Sequence, residues 1–299
     1  MQIFYIFVPS FFTKFQIDKI VNLAIEAGEI AASAFTAKDF LITKKADGSS
    51  VTSADIAVSK FLREHLKNEF PAIPIICEEG ELREISGEIF FLIDPIDGTS
   101  SFIKGDVEFC VNIALVKNKK PIFGLIYAPL FEGGKMIFSD EENQVVKKIC
   151  YPERNEGSQE ILPQEVLNCA QDDRINIQED GSNTLRIITS SRSKDFDVAN
   201  CMAQICPEFS QNFTTEKLAS AIKFFRLLEG DADLYLHFRP SMEWDTAAGQ
   251  ALVEILGGEV KKLTESEIGE NLTYKKATFK NSSFVSFINR AIPVQISQN

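Results

Sequence analysis

The chain has 299 residues, enough for one large domain or two ordinary ones, and its 44% hydrophobic content provides a core and argues against disorder. Its 43 acids against 31 bases give a formal charge of -12, which argues against a general nucleic-acid backbone binder. Its 6 dispersed cysteines form no Cys-x-x-Cys pair and only 2 histidines accompany them, so neither a zinc site nor a disulfide framework is expected and the compartment reads as reducing.

Met1 to Phe15 is apolar and aromatic. It lacks a basic leader, contains Pro9 and reaches Lys14 well short of the ~20 residues of a membrane span, so it reads as an extension packed on the fold. Ile17 to Phe35 places Ile20, Val21, Ala24, Ile25, Ala27, Ala31 and Ala32 at helical spacing. After the polar break at Lys44, Lys45, Asp47 and Gly48, helical periodicity resumes from Ile56 to Phe70. Thr52, Ser53 and Asp55 stand at its start, where capping is the plain reading.

Pro71 to Cys77 is a strand candidate ending in Glu78-Glu79-Gly80. Phe90 to Ile93 reads as a buried strand that Asp94 ends. It opens into Asp94-Pro-Ile-Asp-Gly-Thr99, where proline and glycine bend the chain so that Asp94 and Asp97 converge. Two acids so close repel, unless a proton or a multivalent cation sits between them, so the stretch asks for a metal. Val107 to Val116 and Pro121 to Pro129 form a hairpin through the basic turn Lys117-Asn-Lys-Lys120, and Met136 to Ser139 adds a strand.

Residues 150 to 183 turn polar, with Pro152 and Pro163, and mark a domain boundary or an insertion. Leu185 to Thr189 is a buried strand leading into Ser190-Ser-Arg-Ser193, a strand end suited to an anion. Ala219 to Leu228 reads as helix, Ala232 to Leu236 as strand, and Thr246 to Leu256 as an apolar helix stopped by Gly257-Gly258. Ala277 to Ile292 holds short elements of unassigned type.

Strand-end acids Glu78, Asp94 and Asp97, with Asp245 before the apolar helix, form a hard oxygen set. Asp245 on its own would serve as a helix cap. With few histidines and no thiolate motif, the set selects Mg²⁺ or Mn²⁺, and two such ions suit phosphoryl transfer.

Asp94-Pro-Ile-Asp-Gly-Thr99, Glu78-Glu79 and Trp244-Asp-Thr-Ala-Ala-Gly249 together resemble the inositol monophosphatase superfamily of metal-dependent, lithium-sensitive phosphatases. Within it Ser50 to Ala57, Phe102-Ile-Lys-Gly, Glu108 to Leu115, Ile126-Tyr-Ala-Pro129 and Ser191-Arg-Ser193 look most like the CysQ branch of 3'(2'),5'-bisphosphate nucleotidases. The resemblance implies a layered alpha-beta-alpha-beta-alpha sandwich. An antiparallel α+β half over residues 1–140 carries most ligands, and an α/β half over 141–299 contributes Asp245 and substrate contacts.

It further implies that Glu78, Asp94 and the Ile96 carbonyl hold a first Mg²⁺, that Asp94, Asp97 and Asp245 hold a second, and that Mn²⁺ substitutes. Glu79 is implied as an outer or third-ion acid. Thr99, hydrogen-bonded to Asp55, would orient the attacking water and help remove its proton, displacing the capping role of Asp55. Gly98 and Thr99 would present backbone N–H groups to phosphate. The implied substrate is adenosine 3',5'-bisphosphate, cleaved to AMP and phosphate in sulfur metabolism. Lys223, Arg192, Lys104, Arg239 and His237 are candidates for its second phosphate.

The sequence departs from the branch pattern at Ala219-Ser220, at Ser100-Ser101 and at Glu243. Inositol monophosphate or another small sugar phosphate is the alternative substrate, and a catalytically silent phosphate sensor is a third reading. Phe238, where an acid would suit inositol, argues against the second, and intact Asp55 and Thr99 argue against the third. A cytoplasmic monomer or homodimer is expected, without stable membrane insertion and with peripheral attachment to the inner membrane as the alternative.

Overall fold

The computed structural model describes residues 11–80, 87–140, 145–150, 165–169, 184–264 and 267–288. Residues 1–10, most of the polar stretch 150–183 and the tail from 289 lie outside these, together with what the sequence suggested for them.

Helix α1 (Lys14–Ala37) starts at a capping box in which Thr13 and Gln16 serve each other's backbone, and ends on Lys38 in the left-handed region. Its Ile17, Ile20, Leu23, Ala24, Ala27 and Ala31 face are buried in one core cluster. The helix is long and apolar enough to cross a membrane by composition, yet this buried face makes it a core helix here. Phe12 joins the same cluster against Phe70, Phe91 and Phe123. A short hairpin, β1 (Ile42–Lys44) and β2 (Ser50–Thr52), leads into helix α2 (Ser53–Glu69).

The main sheet has seven strands in the order β3 (Ile75–Cys77), β4 (Ile89–Asp97), β5 (Cys110–Lys117), β6 (Lys120–Ala128), β7 (Lys135–Asp140), β8 (Val145–Cys150) and β9 (Glu165–Cys169). Among the described residues of this sheet only the β3–β4 pair is parallel. A short helix, α3 (Thr99–Lys104), follows β4. The predicted hairpin closes through Asn118 and Lys119, both at positive φ, as a tight two-residue turn requires. Strand β9 draws part of the polar 150–183 stretch into this sheet.

Strand β4 does not end at Asp94. It runs to Asp97, where Asp97 pairs with Cys110 across a register shift. Pro95 is tolerated because β3 stops pairing at Ile93 and the bulge needs no ladder donor there. The strand is flanked on both sides from Phe91 to Ile93 and is buried on both faces. Phe90 and Leu92 enter one core cluster, while Phe91 and Ile93 enter the other.

The second sheet is mixed, with six strands in the order β11-β10-β12-β17-β14-β15. Its parallel part is β10 (Leu185–Ser190), β11 (Phe213–Leu218) and β12 (Leu234–His237). The antiparallel part is β14 (Glu259–Leu263), β15 (Ile268–Asn271) and β17 (Phe284–Phe287). Helix α4 (Asp195–Ile205) packs on its outer face. Helices α5 (Lys223–Leu228) and α6 (Glu243–Ile255) fill the space between the two sheets. A two-stranded ribbon, β13 (Ser241–Met242) and β16 (Lys280–Asn281), flanks α6.

Core clusters thus separate α1 and α2, the large sheet, α5 and α6, the small sheet, and α4, which is the five-layer sandwich. Close approach between layers uses glycine: a Cβ on Gly124 of β6 would sit 2.2 Å from the Ala248 carbonyl of α6. Helix α5 starts at Lys223 and not at Ala219, because Ser220 at φ +50° breaks the helical path.

Candidate active site at a carboxylate cluster

Two elements from different layers deliver the acids. The bulged end of β4 carries Asp94 and Asp97, and the first turn of α6 carries Asp245. One carboxylate oxygen from each lies within 4.8 Å of the others. Each acid is anchored by backbone or side-chain donors. Asp94 Oδ1 accepts from Ile96 N at 3.1 Å, and Asp245 Oδ2 from Met242 N at 2.7 Å. Asp97 Oδ2 accepts from Ala221 N at 2.5 Å and from Asn112 Nδ2 at 3.3 Å. Asp245 therefore does bond the helix N-terminus, from inside the first turn and with one oxygen.

Burial holds all three carboxyls above the usual carboxylate range. The charges of Glu78, Asp97 and Asp245 push Asp94 higher still, whereas Lys223 and the Ala221 amide partly offset the effect at Asp97. An oxygen-only donor set of this charge fits a hard divalent cation, which would remove the repulsion that burial creates.

Asp55 is buried at the start of α2 and does two things at once. Its Oδ2 accepts from Thr52 N at 2.9 Å and Thr52 Oγ1 at 2.5 Å, the helix capping box. Its Oδ1 accepts from Thr99 Oγ1 at 3.1 Å. The sequence reading set capping against a site role, and the structure corrects that choice, since one carboxylate has an oxygen for each. Burial raises its pKa and its hydrogen bonds oppose the rise. Thr99 Oγ1 also lies 3.1 Å from the Ile96 carbonyl.

Glu78 lies near enough to raise the pKa of Asp94 and Asp245 by its charge, but it is outside the three-acid group. Its Oε1 takes Lys45 Nζ at 2.8 Å, and Glu79 Oε1 takes the same ammonium at 2.5 Å. Burial opposes the charge on Lys45, yet bonds and charges from Glu78 and Glu79 outweigh it and raise its pKa. Sequence reasoning passed over Lys45. The signal was a lysine in the polar break before the first capping motif, which is too common a pattern to single out.

Gly98 links the acids to α3 at φ +95°, and a Cβ there would meet the Glu108 carbonyl at 2.6 Å and Ser220 Cβ at 3.1 Å. Only glycine satisfies both the backbone and the space. Of the basic candidates, Lys223 is buried against the cluster, over the Tyr235 ring at 5.4 Å with its ammonium on the Ser220 carbonyl. Arg192, Lys104 and Arg239 are exposed. His237 is unsuited to hold a phosphate as a cation, because burial, with the charges of Lys223 and Arg239, pushes its pKa down to about 3.

The sequence profile of the inositol monophosphatase family matches residues 14–290. The 3'(2'),5'-bisphosphate nucleotidase CysQ of Buchnera aphidicola is 33% identical over 278 residues, covering 91% of this chain and 91% of the relative. The CysQ of Escherichia coli O157:H7 is 31% identical over 249 residues, 82% of this chain and 89% of that one. In three dimensions the crystal structure of CysQ from Bacteroides thetaiotaomicron matches with a TM-score of 0.65 at 26% identity, over 93% of this chain and 99% of that chain. An inositol monophosphatase from Thermotoga maritima shares the fold, with a TM-score of 0.63 at 20% identity, over 92% of each chain. With its five layers and acidic cluster, the chain belongs to the inositol monophosphatase family, whose enzymes are metal-dependent.

Proposed function

We propose that the protein is a Mg²⁺-dependent 3'(2'),5'-bisphosphate nucleotidase that removes the 3'-phosphate of adenosine 3',5'-bisphosphate to leave AMP, in step with sulfur metabolism. The observation that carries the reaction class is the meeting of Asp94, Asp97 and Asp245 within 4.8 Å. Thr99, at the start of α3 beside them, hydrogen-bonds Asp55 of α2. Substrate choice is supported by the names of relatives aligned over most of the chain.

In this reading Asp94, Asp97, Asp245, Glu78 and the Ile96 carbonyl would hold two ions, and Glu79 would serve an outer position. Mg²⁺ held by these residues would supply the charge that polarises phosphate and makes water easier to ionise near neutral pH. The remaining work belongs to the protein. Thr99 donates its hydrogen bond to Asp55 and so turns oxygen lone pairs toward a water, orienting it; as the water's proton passes to Thr99 Oγ1, the Thr99 proton passes to the Asp55 carboxylate. Asp55 is held by Thr52 on its other oxygen, so the acceptor cannot swing away. Gly98 and Thr99 present backbone donors to the phosphate. Lys223 and Arg192 supply positive charge toward the rest of the nucleotide. The enzyme acts on small phosphorylated substrates in the cytoplasm, as a monomer or homodimer.

A substrate panel tests this. Purified protein with Mg²⁺ should release phosphate from adenosine 3',5'-bisphosphate far faster than from inositol 1-phosphate, with Li⁺ inhibiting. The reverse preference would overturn the substrate assignment.

A further inference from the structure

Glu108 belongs to a sequence motif that the metal site leaves unexplained, and the structure gives it a specific partner. Its Oε2 accepts from Ala219 N at 2.5 Å, across 111 residues of sequence. Two residues on, Ala221 N donates to Asp97 Oδ2, also at 2.5 Å. Two carboxylates of the large-sheet layer thus grip one turn of the small-sheet layer at both ends. Between the grips Ser220 stands at φ +50°, in the left-handed region that side chains other than glycine's disfavour.

The turn is also in contact with the site. Ser220 Cβ lies 3.1 Å from where a Gly98 Cβ would be, and the Ser220 carbonyl receives the Lys223 ammonium. The turn follows β11, whose carboxyl end lies beside that of β10, itself paired in parallel with β12, with Ser191 N bonded to the Leu218 carbonyl at 3.0 Å. Crevices outside the carboxyl ends of parallel strands are where ligands of open sheets lie.

We propose that Glu108 is a positioning residue: it clamps the Ala219–Ala221 turn in its strained shape against Gly98, and thereby sets the grip on the nucleotide side of the substrate. The clamp stands on geometry alone, while its effect on substrate rests on the nucleotidase reading. Without Glu108, Ser220 relaxes, the Asp97–Ala221 bond loosens with it, and Lys223 loses its carbonyl partner. The reacting phosphate, held by the β4–α3 turn, is left in place.

Two measurements on Glu108→Ala separate these parts. Amide hydrogen exchange should speed at both Ala219 and Ala221 by tenfold or more, with β5 amides unchanged. Kinetics should show KM for adenosine 3',5'-bisphosphate raised tenfold or more with kcat within threefold, and p-nitrophenyl phosphate turnover within threefold of wild type. Glu108→Gln keeps an acceptor oxygen and should restore both readouts. Adding Ser220→Gly to Glu108→Ala should bring KM back toward wild type, since glycine takes this φ freely. If the alanine variant does not fold, Glu108→Asp, which withdraws the oxygen by one methylene, should give the same split.

Continued protection of Ala221, equal damage to both substrates, or no recovery with Ser220→Gly would overturn the clamp. Wild-type protein inactive on the bisphosphate would instead remove the nucleotidase reading, and the exchange measurement would still decide the clamp.

Discussion

Thr99 and Asp55 lie 44 residues apart in sequence and meet at 3.1 Å, hydroxyl to carboxylate. The contact joins the start of α3 to the start of α2. Because Asp55 spends its other oxygen on Thr52, the Thr99 hydroxyl faces a fixed acceptor.

Thr99→Ala should therefore lower phosphatase turnover by about 10²–10⁴-fold, the usual worth of a positioned proton acceptor. Mg²⁺ affinity by calorimetry should change far less, and Thr99→Ser should recover much of the rate. Loss of metal binding equal to the loss of rate would contradict the proton-handling role.

Lys45 pairs with Glu78 and Glu79 through an ammonium that competes with any cation for the same oxygens. Lys45→Met should lower the Mg²⁺ concentration for half-maximal activity several-fold, in keeping with a partly buried pair worth on the order of 1 kcal/mol. An unchanged or raised Mg²⁺ requirement would show that the ammonium and the ion do not compete.

Metal-free stability should fall as pH rises. Burial holds the carboxyls of Asp94, Asp97 and Asp245 above their ordinary range, so the folded protein binds more protons than the unfolded chain once pH passes about 4. Their contribution is fully present below that pH and is lost as pH climbs through the raised values. EDTA-treated protein should melt at a higher temperature at pH 5.5 than at pH 8, and Mg²⁺ should restore more at pH 8. A higher metal-free midpoint at pH 8 would contradict the linkage.

Glu243 is fully buried two residues before Asp245. Its oxygens accept from Lys275 N at 2.8 Å and Lys276 N at 2.9 Å, and pair with Lys276 Nζ at 2.8 Å. Glu243→Ala orphans both amides, at ~1–3 kcal/mol each, so denaturant unfolding should report a loss of about 2–6 kcal/mol. Glu243→Gln should lose less, and a loss under about 1 kcal/mol in the alanine variant would mean that the loop finds other acceptors.

Sequence made the two N-terminal helices, the central hairpin and the α6 helix legible, because each buries a continuous face with a clear period. Strands β11, β14 and β15 and helix α4 were not read. β11 is exposed along most of its length, and β15 is only partly covered, so neither shows an apolar repeat. The end of β4 was misplaced because proline reads as a stop unless the loss of β3 as a neighbour is known. Asp94, Asp97 and Asp245, which the structure brings together, stand in motifs that the sequence shows. Lys45 and the Glu108–Ala219 bond were not legible in it, since each depends on which loops the layers bring together.

Asp94 is the buried member of the acidic group, and its carboxyl is the one pressed by Glu78, Asp97 and Asp245 together. Asp94→Asn keeps its shape and removes its charge. The most direct test is phosphate release from adenosine 3',5'-bisphosphate by this variant against wild type at saturating Mg²⁺. The account predicts a loss of several decades, because uncatalysed phosphate monoester hydrolysis leaves up to about 10²¹-fold of acceleration for the site to supply. Turnover within about tenfold of wild type would contradict a cation-centred phosphatase at this cluster.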